Sequence, residues 1–190
     1  MSSIFLLPIE FSYPDILEYL KKEIQSEIGI PVEIGKSNFD PAFAYNPSRE
    51  QYNSTLLLTQ LLQLIPKNQH KIVGVTTLDL FIPVLTFVFG EAQLNGKAAV
   101  VSSYRLHNEF YGLPHNEKLF RERLLKETVH ELGHTFGQIH CRNQDCVLHP
   151  STYAEEIELK SSHFCSICKT AVLENIKSGG IVTRPVDGYD

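Results

Sequence analysis

An α/β fold, with a mostly parallel twisted sheet, helices on its faces and one antiparallel edge strand, is what three features of the sequence predict. Strand-like and helix-like segments alternate through residues 3–76, an order that right-handed crossovers convert into parallel strands. Asn95-Gly96 then divides two extended runs, the mark of a tight hairpin and so of an antiparallel neighbour. A long helical pattern follows over residues 117–136.

Taken in order, Ser3 to Pro8 is an apolar run that reads as a strand. Ser12 or Asp15 can cap the next element, a helix; Pro14 suits its first turn, and Ile16, Leu17, Leu20, Ile24 and Ile28 recur at helical spacing up to Gly29, which stops it. Ile30 to Ile34 is a second strand, and residues 35–47, rich in Pro, Asn and Phe, an exposed connection. Asn53 or Ser54 opens a second helix through Leu56, Leu57, Leu58, Leu61, Leu62 and Ile65, with Pro66 ending it, and Lys71 to Thr76 forms a third strand. Val84 to Gln93 and Ala98 to Tyr104 flank the hairpin turn Leu94-Asn95-Gly96-Lys97. After a polar loop from His107 to Asn116, the helix Glu117 to Phe136 sets Leu119, Phe120, Leu124, Val129 and Leu132 among its apolar positions. A C-terminal helix is expected near Cys165 to Ile176.

With 190 residues, 43% of them hydrophobic, the chain can build one core without disulfides, with room for a small appended lobe. A net charge of −5 offers no basic surface, so nucleic acid is not an expected partner. The N-terminal MSSIFLLPIEF lacks a basic n-region and breaks its apolar run at Pro8, and the apolar stretch Leu80 to Gly90 is too short for a bilayer. No membrane association is expected, and the chain is placed in the cytoplasm, as a monomer.

Chemistry concentrates in the string His130-Glu131-Leu132-Gly133-His134-Thr135-Phe136-Gly137-Gln138-Ile139-His140. Histidines at i and i+4 lie about 40° apart in helical projection and can face one metal together. Glu131 sits beside them, within reach of a water on that metal, as a general base requires. Gly137 permits a left-handed turn that ends the helix and brings His140 to a third corner. The fourth corner stays open to water, which marks a catalytic site.

All four cysteines, Cys141, Cys146, Cys165 and Cys168, come after this string. Two Cys pairs joined by residues 147–164 have the spacing of a Cys₄ structural zinc site. Free thiols and two disulfides are the other readings; clustered thiols in a reducing compartment favour metal. Such a zinc would tie the chain leaving the catalytic helix to the C-terminal helix, in a lobe too small to stand on apolar burial alone. Two zinc ions are therefore expected, one catalytic and one structural, with residues 1–137 as an α/β part ending in the active-site helix and 138–190 as a small C-terminal part.

The histidine string matches the metzincin signature HExxHxxGxxH, and the cysteine segments at and beyond its end, HCRNQDC and CSIC, resemble those of the archaemetzincin family. The resemblance implies a zinc metallopeptidase or aminopeptidase of metzincin-like fold. A water polarised by the metal would lose a proton to Glu131 and add to a peptide carbonyl, and Glu131 would return the proton to the leaving amine. Substrate would lie extended along the edge strand, here Val88 to Gln93, by main-chain hydrogen bonds. The family also has a Met beneath the catalytic metal. Leu148 stands there in this chain, a swap that keeps most of the volume yet leaves a metzincin-like zinc protein of little turnover as the alternative. A zinc-ribbon-like nucleic-acid module is the third reading, which the acidic balance disfavours. Arg105, His107 and His115 precede the active-site helix and can line a cleft, Tyr153 can reach a tetrahedral intermediate, and His149 and His163 are spare metal donors. Loop polar residues are usually solvated, however, and three histidines and four cysteines already suffice for the two sites.

Overall fold

The computed structural model describes residues 3–36, 39–65 and 71–179. Strand β1 (Ile4–Ile9) leads into helix α1 (Pro14–Ile28). Neither Ser12 nor Asp15 caps α1. Tyr13 occupies the cap position without a side-chain hydrogen bond, Pro14 starts the helix, and Asp15 sits in the first turn, where a carboxylate complements the helix dipole. Gly29 closes α1 in the left-handed conformation (φ 82°), its N–H donating to Gln25 O at 2.9 Å. The helix buries Ile16, Leu17, Leu20, Ile24 and Ile28, the five positions its periodicity selects.

Strand β2 (Val32–Ile34) comes next. Residues 35–47 are more than an exposed connection: they contain a 3₁₀ turn, Pro41–Ala44, capped by the Asp40 side chain, and the short strand β3 (Tyr45–Asn46). Strand β4 (Gln51–Asn53) runs into helix α2 (Ser54–Leu64), with Asn53 as its cap, accepting from Leu56 N at 3.2 Å. The helix reaches Ile65 as its C-cap, and Pro66 lies outside the described residues. Strands β5 (Lys71–Thr76), β6 (Leu80–Phe81), β7 (Gly90–Ala92) and β8 (Ala98–Ser102) complete the extended segments. Helices α3 (Glu117–Thr135), α4 (Ala154–Leu159) and α5 (Ser166–Lys177) end the described fold.

The main sheet has the order β2-β1-β5-β8-β7, its first four strands mutually parallel and β7 antiparallel to β8 at the edge. The hairpin thus supplies the expected antiparallel edge, but only Gly90–Ala92 of the long apolar run pairs with β8. A second sheet, β3-β4-β6, lies beside it. Side chains alternate across the main sheet. Leu6, Val73, Val75, Ala99 and Val101 join a core cluster with α1 and α3, whereas Leu7, Ile72, Ala98 and Val100 join another with α2. Cys146, Val147, Leu148, Phe164, Cys168 and Val172 belong to the α1/α3 cluster, so apolar contact fixes the C-terminal segment against the side of the sheet that carries α3.

Candidate metal centre

Helix α3 starts on Asn116, whose side chain accepts from Leu119 N at 3.1 Å, and runs along the sheet toward the hairpin. Its far end is anchored from outside the helix. Buried Lys71 donates to Thr135 O at 2.7 Å and to Gly96 O at 2.6 Å, and Asn95 N donates to His134 O at 2.9 Å. The bond to Thr135 O occupies a carbonyl that a helix leaves unpaired at its C-terminus, and His134 O accepts from Gly137 N as well as from Asn95 N. Gly137 takes φ 80°, the left-handed turn that sends the chain back toward His140.

The three imidazoles of His130, His134 and His140 converge: ring centroids are 4.7, 5.3 and 5.1 Å apart, and one donor atom from each falls within 4.8 Å of the others. His130 Nδ1 bonds Val147 O at 2.8 Å and His134 Nδ1 bonds Gln138 O at 2.7 Å. A carbonyl only accepts, so both Nδ1 atoms carry the proton and both Nε2 atoms turn lone pairs inward. Those Nε2 atoms are 3.0 Å apart, near the roughly 3.3 Å separation that tetrahedral Zn–N bonds of about 2.05 Å imply. Burial lowers the pKa of all three histidines, most strongly for His130, where the Lys160 charge adds to it. They are thus held neutral, the form that ligates. His130 is buried and His140 exposed, so the cluster opens to solvent on one side. The donor set, its tautomers and its spacing fit a zinc ion.

Glu131 is buried between α3 and the edge strand, and a Cβ built on Gly90 would stand 2.6 Å from its Cγ. Burial raises its carboxyl pKa well above the ordinary range, and the charge of Glu127 adds to that. Glu127 lies one helical turn earlier and is hydrogen-bonded to Glu131. Lys160 reaches the same layer from beyond α4. Sequence reasoning missed Gly90, Glu127 and Lys160. Only Glu127 leaves a local trace, its i−4 spacing from Glu131.

Leu148 forms the floor. It is fully buried, and a Cβ built on Gly133 would stand 2.7 Å from its Cδ2 and 2.9 Å from Phe164 Cε1. Leu148 therefore packs on the backbone of α3 at Gly133, the residue that precedes His134.

The four cysteine sulfurs also lie within 4.8 Å of one another and form no disulfide. Cys141 Sγ and Cys165 Sγ are 3.9 Å apart, against about 2.05 Å for a disulfide and about 3.8 Å across tetrahedral zinc. Cys165 N donates to Cys146 Sγ at 3.3 Å. Burial pushes the thiols of Cys146 and Cys168 up, and nearby cysteine charges push further. Four thiolates this close require a cation between them.

The remaining candidates have other contacts. Arg105 pairs with Asp79 at 2.6 and 2.7 Å and lies over the rings of Phe87 and Phe110. His107 stacks on Phe120 with centroids 3.9 Å apart, and His115 bonds Glu109. His149 Nδ1 bonds Cys141 O, and His163 Nδ1 bonds Glu27. Tyr153 is exposed at the start of α4, its backbone N–H bonded to Glu156. None of these joins either donor cluster.

A parallel α/β sheet with an antiparallel edge, and a helix presenting HExxH toward a third histidine, define a metallopeptidase of the metzincin class. The profile of Peptidase family M54 matches residues 16–174. The archaemetzincin of Methanocaldococcus jannaschii is 40% identical, over 94% of this chain and 94% of its own. The crystal structure of archaemetzincin from Methanopyrus kandleri superposes with a TM-score of 0.81 at 33% identity, covering 93% of this chain and 96% of that one. A zinc-dependent peptidase from Methanocorpusculum labreanum also gives 0.81, at 28% identity, covering 89% and 99%. The chain belongs to peptidase family M54, and the archaemetzincin resemblance of its motifs extends to the whole fold.

Proposed function

We propose that this chain hydrolyses peptide bonds as a zinc-dependent peptidase or aminopeptidase, with His130, His134 and His140 as metal ligands and Glu131 as general base. One observation carries the proposal: two carbonyl-oriented imidazoles face each other at 3.0 Å beside a buried carboxylate. Zinc, when bound, polarises the peptide carbonyl, lowers the pKa of water and stabilises the developing oxyanion. The residues do the rest. Val147 O and Gln138 O hold two rings in the ligating tautomer, and Glu131 takes a proton from the attacking water and returns it to the leaving amine. A carboxyl with a raised pKa suits both directions of that transfer. Substrate lies along the outer edge of β7, within the rim Val88 to Gln93, adding a strand to the sheet.

Cys141, Cys146, Cys165 and Cys168 hold a second, structural zinc with no open vertex, which ties the chain leaving α3 to the start of α5. A reducing, cytoplasmic setting keeps these cysteines from forming disulfides, and the chain acts there as a monomer. Among the described residues no helix is long and apolar enough to cross a membrane.

Exchange of Glu131 for Ala, assayed on quenched fluorescent peptides alongside metal content, tests the assignment. Turnover lost by about 10²-fold or more with zinc content unchanged supports it. Peptidase activity that survives the exchange refutes Glu131 as base, and anomalous zinc peaks away from either cluster refute the ligand assignment.

A further inference from the structure

Lys160 stands behind the first histidine of the centre. Its side chain is buried, with the residue 3% exposed, and Nζ donates to His149 O at 2.9 Å while lying 3.3 Å from His130 Nδ1. That Nδ1 already donates to Val147 O at 2.8 Å, so the lysine brings the ring a cation and no acceptor. A metal-ligating histidine ordinarily turns its far nitrogen toward a carboxylate or carbonyl alone, which raises the basicity of the ring. Here a carbonyl and an ammonium share that position. Glu127 and Glu131 from α3 face the same ammonium, with Lys126 and Cys146 as further charged neighbours. Burying an ammonium is costly in a folded chain, and an apolar side chain of equal length would suffice if the task were only to fill this space.

We propose that Lys160 is a positioning residue acting through His130. Its positive charge draws electron density from the ring, loosens the metal that the three imidazoles hold and leaves that metal a stronger Lewis acid. Behind a buried ring the effective dielectric is far below that of water, so a charge there is felt on the metal side. The inference rests on the zinc-site reading of the three histidines.

Full-length protein stripped of metal and reloaded with Co(II) against a competing chelator provides the test. Cobalt reports the two clusters separately: thiolate ligands give an intense near-ultraviolet charge-transfer band, and the imidazole site gives weaker visible d–d bands. Lys160→Met, similar in length and uncharged, is expected to bind cobalt at the imidazole site about tenfold tighter than wild type, with d–d bands moved to higher energy. Lys160→Arg, which keeps the charge, is expected to match wild type, and the thiolate band to titrate alike in all three. A lysine that merely braced His130 gives the opposite result, because its loss loosens the ring and weakens binding. Unchanged or weaker binding in a Lys160→Met protein with native near-ultraviolet circular dichroism overturns the inference. If that variant does not fold, Lys160→Gln, uncharged and able to donate to His149 O, carries the same expectation. Wild type that shows the thiolate band and no second cobalt site overturns the zinc-site reading itself.

Discussion

The Glu131 side chain lies directly over the Cα of Gly90, so closely that a methyl group there would stand 2.6 Å from Cγ and 2.9 Å from Cδ and Oε1. The edge strand therefore sets where the proposed general base can be. Gly90→Ala must displace that carboxylate, since the strand is pinned by pairing with Val101. Misplacing a catalytic group by about 1 Å costs on the order of 10²-fold in rate. Steady-state kinetics of Gly90→Ala should show kcat falling by about that factor, with zinc content equal to wild type. Undiminished turnover would mean that Glu131 has room to move without consequence.

Lys71 gives a pH dependence whose sign is set by its burial. Desolvation, assisted by the Lys97 charge, lowers its pKa from 10.5 to about 8. Between these values the unfolded chain binds a proton that the folded chain does not, so Lys71 adds stability as pH rises through this window. That contribution is complete above 10.5 and lost as pH falls through about 8. Its full size is about 3 kcal/mol. Lys71→Met removes the titration, and so urea unfolding of the two zinc-loaded proteins at pH values on either side of the window should show wild type gaining on the variant toward alkaline pH. A constant difference across the window would show that the ammonium stays charged on its two carbonyl partners.

What the sequence disclosed, and what it concealed, divides by the range of the interactions. The apolar face of α1, the cap at Asn53, the hairpin at Asn95 and the histidine string each rest on contacts within a few residues, and each is where local spacing puts it. The start of the expected strand from Val84 is held by distant side chains. Arg49 donates to Leu85 O and Gln51 to Thr86 O, so side chains satisfy backbone acceptors that a ladder would otherwise take. The small sheet escapes notice for a similar reason, since β6 is two residues long and pairs with β4 far earlier in the chain. Gly90 and Lys160 matter only through tertiary approach to Glu131 and His130, which no periodicity encodes.

The proposed structural zinc would tie Cys141 and Cys146, where the chain leaves α3, to Cys165 and Cys168 at the start of α5, and Cys146 and Cys168 are also buried among the apolar side chains that cover α3. Cys168→Ser keeps the size of the side chain nearly constant and removes a proposed thiolate ligand. With a metal ligand lost, a destabilisation of about 3 kcal/mol is a modest fraction of what a structural zinc supplies. At about 2–4 °C per kcal/mol for a chain of this size, calorimetry should find Tm lower by roughly 6–12 °C, together with loss of one zinc equivalent. An unshifted Tm would remove the structural role assigned to this metal.

Leu148 decides whether the floor of the site depends on the thioether that its position has elsewhere in the family. It is fully buried against Gly133 and Phe164, and Gly133 lies between the two helical histidines, so any slack beneath it reaches the ligands directly. Leu148→Ala opens a cavity in a contact that has no flexible neighbour on the helix side, and a cost of about 2–5 kcal/mol is expected. Leu148→Met nearly conserves volume and should cost less than about 1.5 kcal/mol. Zinc affinity separates packing from chemistry: the Ala variant should bind more weakly because His130 and His134 lose their fixed spacing, and the Met variant should bind as wild type does. If Leu148→Met instead raised turnover severalfold at unchanged affinity, the sulfur would have an electronic effect on the centre that shape does not supply, and Leu148 would mark a chain tuned to slow hydrolysis.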